Sequence, residues 1–268
     1  MQNLLFQYND SQIAYYRFGR GPAKLLCFHG YGEDVTVFDF LDKCAGNLYT
    51  IYAFSLPFHG NTVWKEGLNF SRNDLLAIVN RIIEVSDSKF TLLGFSLGGR
   101  IALSLYEWMP ARVEKFVLLA PDGLKINFWY WLSTQTWLGN KLFALTMQRP
   151  GWFFGLLKLM NKMGLVNASI FKFVNYYIGN KGARDLLYAR WTCFRKIKPD
   201  LTEIKIQISN HDTPVRLLYG KHDRIILSSV GEKFRKGIEK QCRLSVIASG
   251  HQVLHEKHAE DILQALTG

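Results

Sequence analysis

The chain has 268 residues, 48% of them hydrophobic, with 33 lysines and arginines against 22 acids and a net charge of +11. This composition supports a sizeable core, in one large α/β domain or two small ones, and excludes a disordered chain. A basic balance suits an anionic membrane surface, an acidic substrate or nucleic acid, or simply a solvated basic surface. No compact basic cluster or nucleic-acid module signature occurs, so nucleic acid is not an expected partner.

The N-terminal MQNLLFQYND has no basic segment, no long apolar stretch and no cleavage site, and no apolar run is long enough to span a bilayer. It reads as the first strand of a cytoplasmic protein. LLFQYN and IAYYRF read as paired strands. KLLCFHG, Lys24 to Gly30, is a buried strand ending in a glycine turn, and YTIYAFSL, Tyr49 to Leu56, is the next strand. Ser71 to Val85 has helical spacing (Leu75, Ile78, Val79, Ile82), with Ser71 as N-cap and Asp74 three residues on. FTLLG is a strand, Leu97 to Glu107 a helix and KFVLLAP a strand. VRLLYG and RLSVIA are later strands, each followed by a helical pattern. Alternating strands and helices, with several strands apolar on both faces, predict a largely parallel sheet covered by helices. Cys27, Cys44, Cys193 and Cys242 form no CxxC pair and read as free, mostly buried thiols, with neither a disulfide nor a zinc site.

Between Asp122 and Asp200 the pattern changes. The acids there are Asp122, Asp185 and Asp200, against twelve bases, and five of the seven tryptophans fall there. Segments such as FFGLLKLMNKMGL have helical periodicity and glycine stops. The expected division is a core of residues 1–121 and 201–268 and a helical cap of 122–200, packed on one end of the sheet, where ligand clefts sit. Trp129 and Trp191 are candidate substrate contacts, although aromatic stripes at helical spacing are more often core than ligand box.

The stretch GFSLGG, Gly94 to Gly99, joins a strand to a helix. GxSxG at such a junction makes a tight turn that exposes the serine hydroxyl at a helix N-terminus, so Ser96 is the candidate nucleophile. A serine needs a base. His251, in ASGHQVLHE, follows a strand and a glycine, and His255 is its rival. The base needs an acid to fix its tautomer. Asp223, in VRLLYGKHDRII, lies just past a strand end, with Asp122 as runner-up. Donors for an oxyanion are expected from the Leu97 amide and from the Tyr31 amide in HGYG. His29 reads as structural.

These residues, HGYG, LPFHGNT, GFSLGG, GKHD and SGHQ in that order, resemble the α/β-hydrolase family from about Lys24 to the C-terminus. The resemblance implies an eight-stranded, mostly parallel sheet with a helical cap inserted after the sixth strand, and no cofactor or metal. One departure is Ser55 in Ser55-Leu56-Pro57-Phe58-His59-Gly60-Asn61, where the family often has aspartate; it reads as a difference in loop hydrogen bonding. A serine at 96 argues against epoxide-hydrolase or dehalogenase chemistry.

The implied activity is serine hydrolysis of a carboxylic ester, a small molecule with an apolar acyl or alcohol part. GFSLGGRIAL also resembles the menaquinone-pathway enzyme that eliminates pyruvate to form 2-succinyl-6-hydroxy-2,4-cyclohexadiene-1-carboxylate, with Arg100 at its carboxylate-binding position. Arg100 reads first, however, as a helix-surface arginine paired locally. Carbon–carbon bond hydrolases and a non-catalytic binding protein are further alternatives. A basic, tryptophan-rich cap also suits peripheral contact with an anionic membrane.

Overall fold

The computed structural model describes residues 2–83, 88–163 and 178–268. The end of the expected helix at Val85, the basic residue Lys172 and the close of the FFGLLKLMNKMGL segment lie outside the described residues. The described chain forms two units. One comprises 1–66, 71–125 and 197–268; the other comprises 67–70 and 126–196. Asp122–Lys125 and 197–200 thus belong with the larger unit, and a short piece at Gly67–Phe70 belongs with the smaller.

The larger unit holds one eight-stranded sheet. Its strands are β1 (Gln2–Tyr8), β2 (Ser11–Phe18), β3 (Ala23–Phe28), β4 (Tyr49–Phe54), β5 (Phe90–Phe95), β6 (Val113–Leu119), β7 (Val215–Gly220) and β8 (Cys242–Ile247), ordered β1-β2-β4-β3-β5-β6-β7-β8. β2 pairs antiparallel with β1 and β4, and the remaining neighbours are parallel. The physical reason is visible strand by strand. All six residues of β5, FTLLGF, are buried, whereas the edge strands β1 and β8 leave many positions exposed. A central strand apolar on both faces needs cover on both faces, and parallel crossovers supply it as helices.

The helices of this unit are α1 (Leu41–Ala45), α2 (Arg72–Ile82), α3 (Leu97–Trp108), α8 (Leu201–His211), α9 (Ser228–Arg235) and α10 (Ala259–Thr267). The smaller unit contains α4 (Phe128–Gln135), α5 (Trp137–Gln148), α6 (Gly151–Lys162) and α7 (Lys181–Cys193). Asn127, Thr136 and Asn180 cap α4, α5 and α7 with side-chain oxygens, each satisfying an amide that the first turn leaves without a carbonyl. The Gly67–Phe70 piece is tied in by the Phe70 N–H, which donates to the Cys193 carbonyl at 3.0 Å, and by the Phe70 ring edge-on to Phe194.

The four cysteines are free, and Cys27, Cys193 and Cys242 are buried. Burial pushes the Cys27 thiol up. No helix among the described residues is long and apolar enough to cross a membrane.

Candidate active site

The parallel strands β3, β5, β7 and β8 run in one direction, so the loops after them leave the same edge of the sheet. Ser96 is the single residue between β5 and α3. Its backbone is at φ 49° and ψ −114°, a region that a side chain rarely occupies and that costs about 1–3 kcal/mol. Three backbone hydrogen bonds hold it there. The Ser96 N–H donates to Leu119 at 3.0 Å, and the Ser96 carbonyl accepts from Gly99 at 2.9 Å and from Asp122 at 2.8 Å.

The flanking glycines are required by close approach. A Cβ on Gly98 would lie 1.8 Å from the Phe28 carbonyl oxygen, and one on Gly94 would lie 2.5 Å from that of Gly98. The helix therefore begins hard against the end of β3. From Thr91 to Arg100 every residue is buried except Ser96, which is partly exposed.

Asp223 sits in the loop after β7, with its side chain fully enclosed. Oδ1 accepts from the Ile225 and Ile226 amides at 2.7 and 3.0 Å, and Oδ2 faces His251 Nδ1 at 2.7 Å. His251 lies in the loop after β8. The two loops prolong the strand ladder: the Lys221 N–H donates to Ile247, and the His222 N–H to Ser249, each at 2.8 Å. An ionised Asp223 only accepts, so Nδ1 of His251 carries the proton and Nε2 is left as the acceptor. Nε2 lies 3.1 Å from Ser96 Oγ. The fold thus joins Ser96, His251 and Asp223, separated by 155 and 28 positions in sequence, in one hydrogen-bonded chain. The rivals are elsewhere engaged. Asp122 faces Arg100, and His255 accepts from the Lys257 amide at 3.1 Å.

Leu97 is the first residue of α3, where helix geometry leaves the N–H without an intrahelical carbonyl and the dipole favours negative charge. Tyr31 lies in the loop after β3. His29 is fully buried; its Nε2 accepts from the Leu56 amide at 3.2 Å, so its Nδ1–H donates to the Gly30 carbonyl at 2.8 Å. It is a loop brace. Ser55 does what loop hydrogen bonding predicted: its hydroxyl donates to the His59 carbonyl at 2.8 Å, and its carbonyl accepts from the Thr62 hydroxyl at 2.7 Å.

A model described as the alpha/beta hydrolase family matches residues 25–265. The chain belongs to the alpha/beta hydrolase family. It is 23% identical over 262 residues to an uncharacterised hydrolase of Bacillus subtilis, YugF, covering 92% of this chain and 91% of that one. Over 104 residues it is 33% identical to a pimeloyl-[acyl-carrier protein] methyl ester esterase of Aeromonas salmonicida, a match that covers 39% of each chain. Among solved structures, a probable hydrolytic enzyme of Pseudomonas aeruginosa superposes with a TM-score of 0.70 at 16% identity, covering all of this chain and 94% of that one. That likeness is one of fold.

In this hydrolase Arg100 is buried, not on a helix surface, and its guanidinium is bonded to the Asp122 carboxylate. Asp122 also accepts from the Gly123 amide at 2.7 Å. In the smaller unit Trp191 stands against Tyr130 and Phe143, with ring centroids 5.4 and 5.6 Å away, while Trp129 is 67% exposed beside Phe128. Among the described residues, no group of three His, Cys, Asp or Glu is placed to hold a metal.

Sequence reasoning passed over Glu33 and Gln252. Glu33 Oε2 accepts from the Gly30 amide at 2.9 Å, and Oε1 accepts from Gln252 Nε2 at 2.7 Å. Gln252 Nε2 also donates to the Leu254 carbonyl at 3.1 Å. One carboxylate therefore straps the Tyr31 loop to the His251 loop. Burial pushes the Glu33 carboxyl up, against the opposing pull of its hydrogen bonds from Gln252 and Gly30. The two residues lie 219 positions apart, and each reads in sequence as an ordinary polar loop residue.

Proposed function

We propose that the protein is a serine hydrolase that cleaves a carboxylic ester through an acyl-enzyme. The observation that carries this reading is the continuous chain from Ser96 Oγ to His251 Nε2, 3.1 Å, and from His251 Nδ1 to Asp223 Oδ2, 2.7 Å. His251 Nε2 takes the hydroxyl proton as Ser96 Oγ attacks the ester carbonyl carbon. Asp223 holds the imidazole in the Nδ1–H tautomer and stabilises the imidazolium. The Leu97 and Tyr31 amides receive the developing oxyanion, a donor of this kind contributing about 3 kcal/mol. The tetrahedral adduct collapses, His251 returns the proton to the departing alkoxide, and the alcohol leaves. Water, deprotonated by His251, then attacks the acyl-enzyme. A second collapse releases the carboxylic acid and restores Ser96.

An apolar acyl or alcohol part is the substrate class we favour. It is supported by the ester named for the part-length relative of Aeromonas salmonicida. Elimination would draw on Arg100 to hold a substrate carboxylate. Its engagement with Asp122 supports hydrolysis instead.

Intact-mass analysis after treatment with a fluorophosphonate tests the reading. One adduct per chain is expected on the wild type and none on Ser96→Ala or His251→Ala. Asp223→Asn is expected to slow both labelling and turnover of p-nitrophenyl esters by on the order of a thousandfold or more. An adduct that survives in Ser96→Ala, or a folded wild type that takes none, would overturn the assignment.

A further inference from the structure

Charge is divided unevenly between the two units. Residues 126–196 contain ten of the chain's 33 bases and one of its 22 acids, so they carry +9 of the net +11 and the larger unit is almost neutral. The single acid, Asp185, is held 2.7 Å from Lys181. α4, α5 and α6 contain no acid, and their three charges are Lys141, Lys158 and Lys162, all exposed.

Apolar exposure follows the same division. Twelve of the twenty large hydrophobic side chains exposed among the described residues fall between 126 and 163. Phe128, Trp129, Trp137 and Leu138 are 61–72% exposed, and Trp152 and Leu159 are 41% and 55% exposed. Side chains of this size in water mark an interaction surface. On α6 the exposed Trp152, Leu156 and Leu159 follow i, i+4, i+7 spacing and share one face, with Lys158 and Lys162 exposed on the same helix. On α5 the Lys141 ammonium sits 3.9 Å over the Trp137 ring, which presents an indole and a cation together.

We infer that α4, α5 and α6 form a docking surface for an anionic lipid bilayer. Indole and leucine side chains seat at the headgroup–acyl boundary, and lysines with long apolar stems reach anionic headgroups from the same depth. A second copy of the chain would bring +9 against +9. A protein interface of this apolar character is depleted in lysine at its core, whereas here Lys141 lies against the most exposed indole. The absence of acids on these three helices is what an anionic surface requires, each nearby cation adding to its attraction. The inference stands independently of the role of Ser96.

The test uses the full chain with vesicles of phosphatidylcholine alone or mixed with phosphatidylglycerol, read by cosedimentation and tryptophan emission. Five of the seven tryptophans lie in the smaller unit, so docking is expected to shift emission to the blue. Binding is expected on the mixed vesicles, weaker by about tenfold or more on phosphatidylcholine alone and in about 0.5 M salt. Trp137→Ser with Leu138→Ser is expected to lower partitioning about tenfold or more. Lys158→Gln with Lys162→Gln is expected to weaken only the binding to mixed vesicles. Far-UV circular dichroism and the urea unfolding midpoint check that each variant is folded. No cosedimentation with mixed vesicles at low salt, or wild-type binding by the Trp137/Leu138 variant, would overturn the inference. Concentration-dependent self-association in place of vesicle binding would assign the face to a second copy, and competition by polyglutamate alone would assign it to an acidic polypeptide.

Discussion

At Ser96 the backbone cost of a positive φ is met by hydrogen bonds to Leu119, Gly99 and Asp122 and by glycines at the three crowded neighbours. That is why the serine could be read from sequence: the crowding that forces glycine leaves a local mark. Asp223 and His251 left weaker marks of the same kind, each a short polar loop after an apolar strand. Glu33 left none, because its meaning lies in a partner 219 positions away. The strap it forms with Gln252 yields a prediction. Glu33→Gln retains an acceptor for the Gly30 amide but sets an amide donor against Gln252 Nε2, so kcat is expected to fall several-fold with KM nearly unchanged. Adding Gln252→Glu restores a donor–acceptor pair of reversed sense and is expected to recover part of kcat in the same ester assay. Equal losses in the single and double variants would show that the strap does not position the loops.

Elements were legible where periodicity and capping agree. α2 begins at Arg72 as the spacing predicts, and Ser71 and Asp74 form a reciprocal capping box. The Asp74 carboxylate accepts from the Ser71 amide and hydroxyl, each at 2.6 Å, and from the Tyr8 hydroxyl at 2.8 Å. Burial, followed by Asp74, pushes the Tyr8 phenol up to about 12. Ser71→Ala is expected to cost about 1 kcal/mol, and Asp74→Ala more, because it also strands the link to β1. Urea midpoints at constant m-value measure both. The capping aspartate showed in the sequence through its distance of three from Ser71. Its bond to Tyr8, 66 positions away, did not. Arg100 makes the same point. A helix position and a basic side chain were plain in the sequence, but burial and pairing with Asp122 follow from where β6 ends.

For the whole molecule, stability is a property that ionisation can read. His258 is buried, and burial, then the charge of Lys257, holds its imidazole below the ordinary value of 6.5; Asp261 acts in the opposite direction, and His255 adds to the lowering. The unfolded chain therefore takes up this proton first as pH falls. Stability from this site is full above about 6.5 and is lost as pH drops through that value toward the lower folded one. His258→Leu is expected to flatten that part of the stability–pH curve while leaving its slope above pH 7 unchanged, measured by urea unfolding across pH. By itself the sequence determined the alternation of strand and helix, the parallel sheet, the family order of motifs and the concentration of bases after the sixth strand. These are local or additive properties: side-chain periodicity, glycine at crowded turns and net charge. Only the tertiary structure decided that His251 rather than His255 faces Ser96, that Asp223 rather than Asp122 faces His251, and that Glu33 reaches Gln252. Those choices depend on strand order, because the order in which β3, β5, β7 and β8 lie in the sheet sets which distant loops meet within hydrogen-bond distance.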